Sequence, residues 1–167
     1  MNYPLSQNEV VERVNAALAV FLERDIYLLE HDVNERTITH KLAEYLQDEF
    51  EYWNVDCEYN RNGHEPKRVG LAAENGAEKI RYVSTYPDII VHRRGNNDNN
   101  LLIVEAKKEN DRRAQGEEHD RHKLLAYLRD LNYCAGLFII FFIGSSSETQ
   151  PFKCEFFFDN GRVVCEF

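Results

Sequence analysis

Cysteine is scarce: Cys57, Cys134, Cys154 and Cys165 are the only four, and no two form a C-x-x-C pair. That scatter argues against a structural zinc site, which needs closely spaced thiolate and imidazole ligands. The chain does not open with a basic region followed by an apolar one, so no secretory leader is expected. The cysteines then read as reduced thiols, mostly packed ones. No apolar run approaches the roughly 20 residues that a membrane helix requires. The longest, residues 137–143, has the length of a buried strand. No Pro/Gly/Ser-rich linker divides the chain, so residues 1–167 are expected to form one domain. Basic charge is also in deficit: 20 Lys and Arg stand against 29 Asp and Glu, for a net charge of −9. A surface of that sign disfavours indiscriminate nucleic-acid binding, so any such binding must rest on a local basic rim. These absences leave a cytoplasmic protein outside the membrane as the expectation.

What the chain does contain is hydrophobic periodicity. Val10, Val14, Ala17, Leu18, Phe21 and Leu22 recur at helical spacing and predict a helix over residues 6–29, with Ser6 and Glu9 as a capping box. Ile38, Leu42, Tyr45 and Leu46 predict a second helix over 35–50, capped by Asn34. Residues 1–50 thus form a helical N-terminal part, ahead of a core over 53–143 and a C-terminal hairpin over 152–167. Residues 53–59 alternate Trp53, Val55, Cys57 and Tyr59 with polar neighbours, the pattern of a half-buried strand. Residues 60–76 read as a polar excursion with little regular structure. Residues 79–83 are expected to lead into a strand over 86–92, and a turn at 95–100 leads to another over 101–107.

Residues 108–118 are charged and polar and read as a solvated loop. A helix over 120–131 then buries Leu124, Leu125, Tyr127, Leu128 and Leu131, and the strand at 137–143 follows as a parallel neighbour. After a loop at 145–151, strands 152–158 and 162–167 flank Asp159-Asn160-Gly161, a tight-turn signal. Phe152, Phe156, Phe157, Phe158 and Phe167 in this hairpin are expected to pack on the core, with burial in a homodimer as the other outcome. The order is helix, helix, three strands, helix, strand, hairpin: an α/β chain with a mixed central sheet flanked by helices.

Two of these strands carry charges that a purely structural strand rarely accepts. Tyr86-Pro87-Asp88-Ile89-Ile90-Val91 is apolar and β-branched around Asp88, and Leu101-Leu102-Ile103-Val104-Glu105-Ala106-Lys107 ends on Glu105 and Lys107. Strand side chains alternate, so Glu105 and Lys107 share a face. In a hairpin closed by residues 95–100, Asp88 falls near the level of Lys107, and the three groups can converge at one end of the sheet. Paired carboxylates suit Mg²⁺, which takes one or two protein carboxylates together with water and substrate phosphate; Mn²⁺ is the natural substitute. Such an ion polarises a scissile phosphate, while Lys107 neutralises developing charge or positions the attacking water. Metal-dependent phosphodiester hydrolysis is the chemistry this set permits.

Pro87-Asp88 followed by Glu105-Ala106-Lys107, each on its strand of a hairpin, resembles the PD-(D/E)XK nuclease superfamily. The resemblance implies a restriction-endonuclease-like fold and an endonuclease that hydrolyses DNA with Mg²⁺. It also implies catalytic roles for Asp88, Glu105 and Lys107, with the Ala106 carbonyl as a further metal ligand. Many members add an acid from the helix before the first core strand, and Glu35 in Asn34-Glu35-Arg36 holds that place, as catalytic residue and metal ligand. Glu44 on the same helix is the fallback. Glu35 equally suits the first turn of a helix through the macrodipole. Helicase-associated members carry Q-x-x-x-Y on the helix after E-x-K. The matching place reads Lys123-Leu124-Leu125-Ala126-Tyr127, where the change from Gln to Lys leaves open a phosphate contact or an exposed lysine.

Candidate DNA contacts are Arg61, Lys67, Arg68, Arg81, Arg93, Arg94, Lys108, Arg112, Arg113 and Lys123, most of them flanking the motif strands. Such contacts position a substrate without reading its sequence. The same residues can also serve as ordinary solvated charges. Asp56 and Glu58 are expected in solvent or structural roles, and His40, His64, His92, His119 and His122 lack ligand spacing. Two readings from other classes stand alongside. One is a nuclease-fold DNA-binding or subunit-interaction domain without turnover. The other is an acidic partner protein whose Glu105 and Lys107 pair on an open surface.

Overall fold

The computed structural model describes residues 5–59, 61–62, 65–66, 68–72, 80–84, 86–95, 99–109, 114–159 and 161–166. Helix α1 (Gln7–Asp25) starts at the expected capping box: the Ser6 hydroxyl accepts the Glu9 N–H, and Glu9 Oε2 accepts the Ser6 N–H at 2.8 Å. The predicted helix to residue 29 is interrupted at Ile26, beyond which α2 (Tyr27–Glu30) adds a single turn. Gly144 N–H donates to the Leu29 carbonyl at 3.0 Å and anchors that turn. Helix α3 (Glu35–Glu49) begins where its cap predicts, Asn34 Oδ1 accepting the Thr37 N–H at 2.9 Å.

Strand β1 (Asn54–Cys57) is followed by two small antiparallel ribbons, β2 (Arg61–Asn62) with β3 (Glu65–Pro66) and β4 (Arg68–Ala72) with β5 (Ile80–Ser84). Both correct the sequence expectation. Part of the excursion at 60–76 is strand, and residues 80–84 pair with β4 instead of running into the next central strand. Side-chain alternation is weak in this polar stretch, but β4 is also held by α4: Val69 is buried in the core there, and the Gly70 N–H donates to Asp130 Oδ2 at 2.8 Å. Strand β6 (Ile89–His92) and β7 (Leu102–Lys108) form the expected antiparallel hairpin. Helix α4 (Ala114–Leu131) begins within the stretch read as loop and crosses to β8 (Ala135–Phe141), which lies parallel to β7. A short α5 (Ser145–Thr149) occupies the expected loop, and β9 (Phe152–Phe158) pairs with β10 (Gly161–Glu166) around a two-residue turn.

The central sheet is mixed and six-stranded, in the order β1-β6-β7-β8-β9-β10. Period-two alternation divides its side chains between two cores. Leu102, Val104 and Ala106 face α1 and α3, joining Ile89, Val91, Leu137, Ile139 and Phe156. Ile103 and its neighbours Ile90, Phe138 and Phe157 face α4, meeting Leu124, Tyr127, Leu128 and Leu131. Each such side chain contributes about 1.5–3 kcal/mol on full burial. Phe152, Phe156, Phe157 and Phe158 are buried in the sheet, as expected of the C-terminal hairpin; Phe167 lies outside the described residues. Leu125, expected inward, is exposed on the outer side of α4.

Among the described residues no helix is long and apolar enough to cross a membrane. Cys57, Cys134 and Cys154 are free thiols, but only Cys154 is buried, which corrects the expectation of mostly packed cysteines. Cys57 ends an edge strand, where alternation gives little cover.

Candidate functional site

Pro87 is buried and leads Asp88 onto the end of β6. The ladder pairs Ile89 with Val104, so continuing it sets Asp88 level with Glu105 and not with Lys107. The connection between the strands is longer than residues 95–100, since Leu101 N–H already donates to the Val91 carbonyl at 2.9 Å. That slip of register brings the two acids closer together than the turn length predicted. Asp88 Oδ2 accepts the N–H of Ala106, the residue between Glu105 and Lys107, at 2.8 Å. Burial pushes the Asp88 carboxyl up, against the opposing effects of the Ala106 N–H, Lys107 and Lys123.

Glu105 is only 2% exposed. It lies on the α4 side of β7, in alternation with Ile103, and α4 supplies its partners. Tyr127 OH donates to Oε1 at 3.1 Å and Lys123 Nζ to Oε2 at 2.9 Å. Burial lifts the Glu105 carboxyl from the usual 4.5 to about 7, although Lys123 pulls the other way. An open-surface pair between Glu105 and Lys107 is therefore not what forms. Lys107 is half-buried on the same face and turns its Nζ to Asp120 Oδ2, 3.6 Å away. Burial alone would lower the Lys107 ammonium, but Asp120, Glu35, Asp88 and Glu105 together hold it raised, so it stays protonated.

Asp120 is the residue that sequence reasoning missed. It sits 5% exposed on α4, where Oδ1 accepts from Lys123 Nζ at 3.3 Å and Oδ2 is buried without a hydrogen-bond partner. The signal was present: Asp120, Lys123 and Tyr127 follow i, i+3, i+7 spacing and share one helical face. The acid was hidden by the charged run that precedes it, which reads as solvated.

Glu35 opens α3 and reaches the end of β7, its Oε2 accepting the Lys108 N–H at 3.2 Å. Lys108 Nζ in turn donates to Asp32 Oδ1 at 2.6 Å and to the Val33 carbonyl at 3.1 Å. The start of α3 is thereby fastened to the sheet edge where Lys107 emerges. Glu44 is nine residues further along, about 13 Å of helix rise. It pairs with Lys41 at 2.7 Å and His40 at 3.1 Å, well away from this edge.

Among the described residues the cationic candidates do not gather into one rim. Arg93 and Arg94 follow the far end of β6, about 17–20 Å along the strand from Asp88 by strand rise. There Arg94 clasps Asp56 with two nitrogens, while Arg93 lies over the Trp53 ring. Asp56 also meets the buried His92 at 2.8 Å and has a structural role; exposed Glu58 pairs with Arg36 at 3.1 Å. Lys108 and Lys123 are occupied as described. Arg68 is exposed at the start of β4, and Arg61 and Arg81 lie in β2 and β5. Lys67, Arg112, Arg113 and His64 lie outside the described residues.

The donor set fits a hard divalent cation in kind, because it consists of carboxylate oxygens from β6, β7, α3 and α4. Asp88 accepts the Ala106 N–H through Oδ2, and buried Asp120 Oδ2 accepts no hydrogen bond. The set is not assembled as a ligand cage: no three His, Cys, Asp or Glu side chains among the described residues form a metal cluster. Both Glu105 oxygens instead point at Lys123 and Tyr127. Ala106 enters the site through its N–H, which donates to Asp88 Oδ2 at 2.8 Å. No protein-family model, no curated protein and no solved structure matches the chain.

Proposed function

We propose that the protein is a metal-dependent endonuclease that hydrolyses phosphodiester bonds in DNA, with the restriction-endonuclease-like topology of the PD-(D/E)XK superfamily. The observation that carries the reading is the Asp88 carboxylate locked onto the Ala106 N–H at 2.8 Å, which couples the PD and E-x-K elements at one sheet end. Asp88 and Glu105, with Glu35 at the margin, would hold Mg²⁺ or Mn²⁺. When bound, such an ion supplies Lewis-acid polarisation of the phosphate and a more acidic water.

The chain's own residues supply the rest. Lys107 stays cationic under the pull of four carboxylates and stands ready to neutralise charge developing on a phosphate oxygen, or to orient the attacking water. Tyr127 fixes the orientation of Glu105 through Oε1. The buried faces on either side limit water at Glu105 and strengthen every interaction there. Arg68, exposed at the start of β4, offers positive charge suited to phosphate contacts that position without reading sequence.

A second reading is favoured by one specific contact. Lys123 Nζ already satisfies Glu105 Oε2 at 2.9 Å, so the acid is neutralised without an ion, as in a silent nuclease-fold domain that binds DNA or another subunit. The two readings separate on purified protein. The first expects Mg²⁺- or Mn²⁺-dependent cleavage of DNA, lost on Asp88→Asn and reduced about a hundredfold or more by Lys107→Ala. Equal residual cleavage by wild type and Lys107→Ala would overturn it. DNA binding without cleavage would favour the second, and cleavage of RNA alone would correct the substrate.

A further inference from the structure

We infer that Asp120 is a third carboxylate of the metal site, and that the Lys123 ammonium stands in the place between Asp120 and Glu105 that a divalent cation takes. This rests on the nuclease reading above and extends it to a residue outside both motifs.

Three observations converge. First, two carboxylates from different elements close on one cation: Lys123 Nζ is 2.9 Å from Glu105 Oε2 and 3.3 Å from Asp120 Oδ1. The point between them therefore already suits positive charge, and it is lined by groups that a hard metal accepts. Second, Asp120 is 5% exposed and its Oδ2 is buried without a hydrogen bond. A buried carboxylate oxygen left without a donor is costly unless a further ligand uses it. Lys107 at 3.6 Å offers charge but no hydrogen bond, so the vacancy in donor count persists. Third, the acids exceed what pairing with Lys123 requires. Lys123 needs only one of them to be neutralised, yet Glu105, Asp120 and Asp88 all bear on it. Three acids against Lys107 and Lys123 leave an excess of negative charge once Glu105 is ionised, which is what a site for a doubly charged ion requires.

Lys123 is also able to leave. It reaches the pair along a flexible four-carbon stem from α4, so its ammonium can withdraw without movement of the backbone. Tyr127, one helical turn further on, keeps Glu105 Oε1 in place when Oε2 exchanges its partner. The lysine thus acts as a resident counter-ion that keeps two buried acids tolerable before metal arrives and competes with the metal for them.

Calorimetric titration of the full chain with Mn²⁺, free of nucleic acid, tests the assignment. Lys123→Gln keeps a donor for Glu105 but removes the competing charge. It is expected to bind Mn²⁺ about tenfold more tightly or better, as follows when a divalent ion is freed from a like charge about 4 Å away. Asp120→Asn in that background is expected to lose about tenfold or more. If Mn²⁺ binding depends on Asp88 but Lys123→Gln gains nothing, or Asp120→Asn loses nothing, the inference is overturned and the nuclease reading stands. If neither wild type nor any variant binds Mn²⁺, both fail. A measurement on the wild type guards against variants that do not fold. Reductive methylation of Lys123, followed by mass spectrometry, should rise several-fold at saturating Mg²⁺ relative to Lys153. Unchanged labelling of Lys123 would overturn the displacement.

Discussion

Glu105 makes the stability of the metal-free protein fall as the solution becomes more alkaline, and the size of that effect follows from its burial. In the folded chain its carboxyl is lifted from the usual 4.5 to about 7, so the native state keeps a proton that the unfolded state releases. Stability from such a group is fully present below pH 4.5 and is lost as the pH rises through about 7. A shift of that size corresponds to about 3 kcal/mol. Glu105→Gln removes the titration while keeping the shape and an oxygen for Tyr127. In chelator, the stability of Glu105→Gln relative to wild type should therefore move in favour of the variant by about 2–3 kcal/mol between pH 5 and pH 8. Lys123 does not confuse the window, because its raised ammonium stays charged throughout it. Urea denaturation at several pH values, read at constant slope, measures the difference directly. Parallel stability curves for the two proteins would show that Lys123 holds Glu105 ionised well below pH 5, and the reasoning from burial would be refuted.

Two further outcomes concern the frame around the site. Arg121 grips buried Glu155 with two nitrogens at 2.9 Å each and lies over the Phe138 ring, so Arg121→Ala should destabilise the fold by about 3 kcal/mol in urea titrations. Loss of less than about 1 kcal/mol would mean that the pair behaves as an exposed one. Asn34→Ala removes the cap that starts α3 beside Glu35 and should cost about 1 kcal/mol, with Asn34→Gly much milder; equal effects would argue against a capping role.

The parts of the fold legible in the sequence are those set by repetitive physics. Apolar alternation and β-branching located β6, β7, β8 and β9, and caps located the starts of α1 and α3. The ribbons between β1 and β6 were not legible, because few of their residues are apolar and the burial of Val69 against α4 is a tertiary contact that leaves no local pattern. The register of the motif hairpin was misjudged for a related reason: turn residues mark where a turn falls, not how many residues the ladder gives up to it. At the site, Asp88, Glu105 and Lys107 stood out as charges in apolar strands. Asp120 did not, since an acid at the end of a charged run looks solvated until the helix is rolled onto the sheet. A helical wheel anchored on Tyr127 would have found it.

The distribution of buried charge separates the two sides of the sheet. Among the described residues the core under α1 and α3 takes in no buried charged side chain, whereas Glu105, Asp120, Glu155 and His92, all less than 9% exposed, lie on the α4 side. Burying ions is seldom the cheapest way to stabilise a fold, because well-packed apolar residues of similar volume do as well or better. Glu155 is held by Arg121, which also reaches the half-exposed Glu117 at 3.3 Å, and His92 with Arg94 answers Asp56, so these have a structural sufficiency of their own. The group around Glu105 has no such match: three acids share two lysines, and one oxygen of Asp120 lacks a donor. Among the described charged groups on this face it is the one with a buried oxygen left unbonded, and that imbalance is where a ligand carrying positive charge has the most to gain.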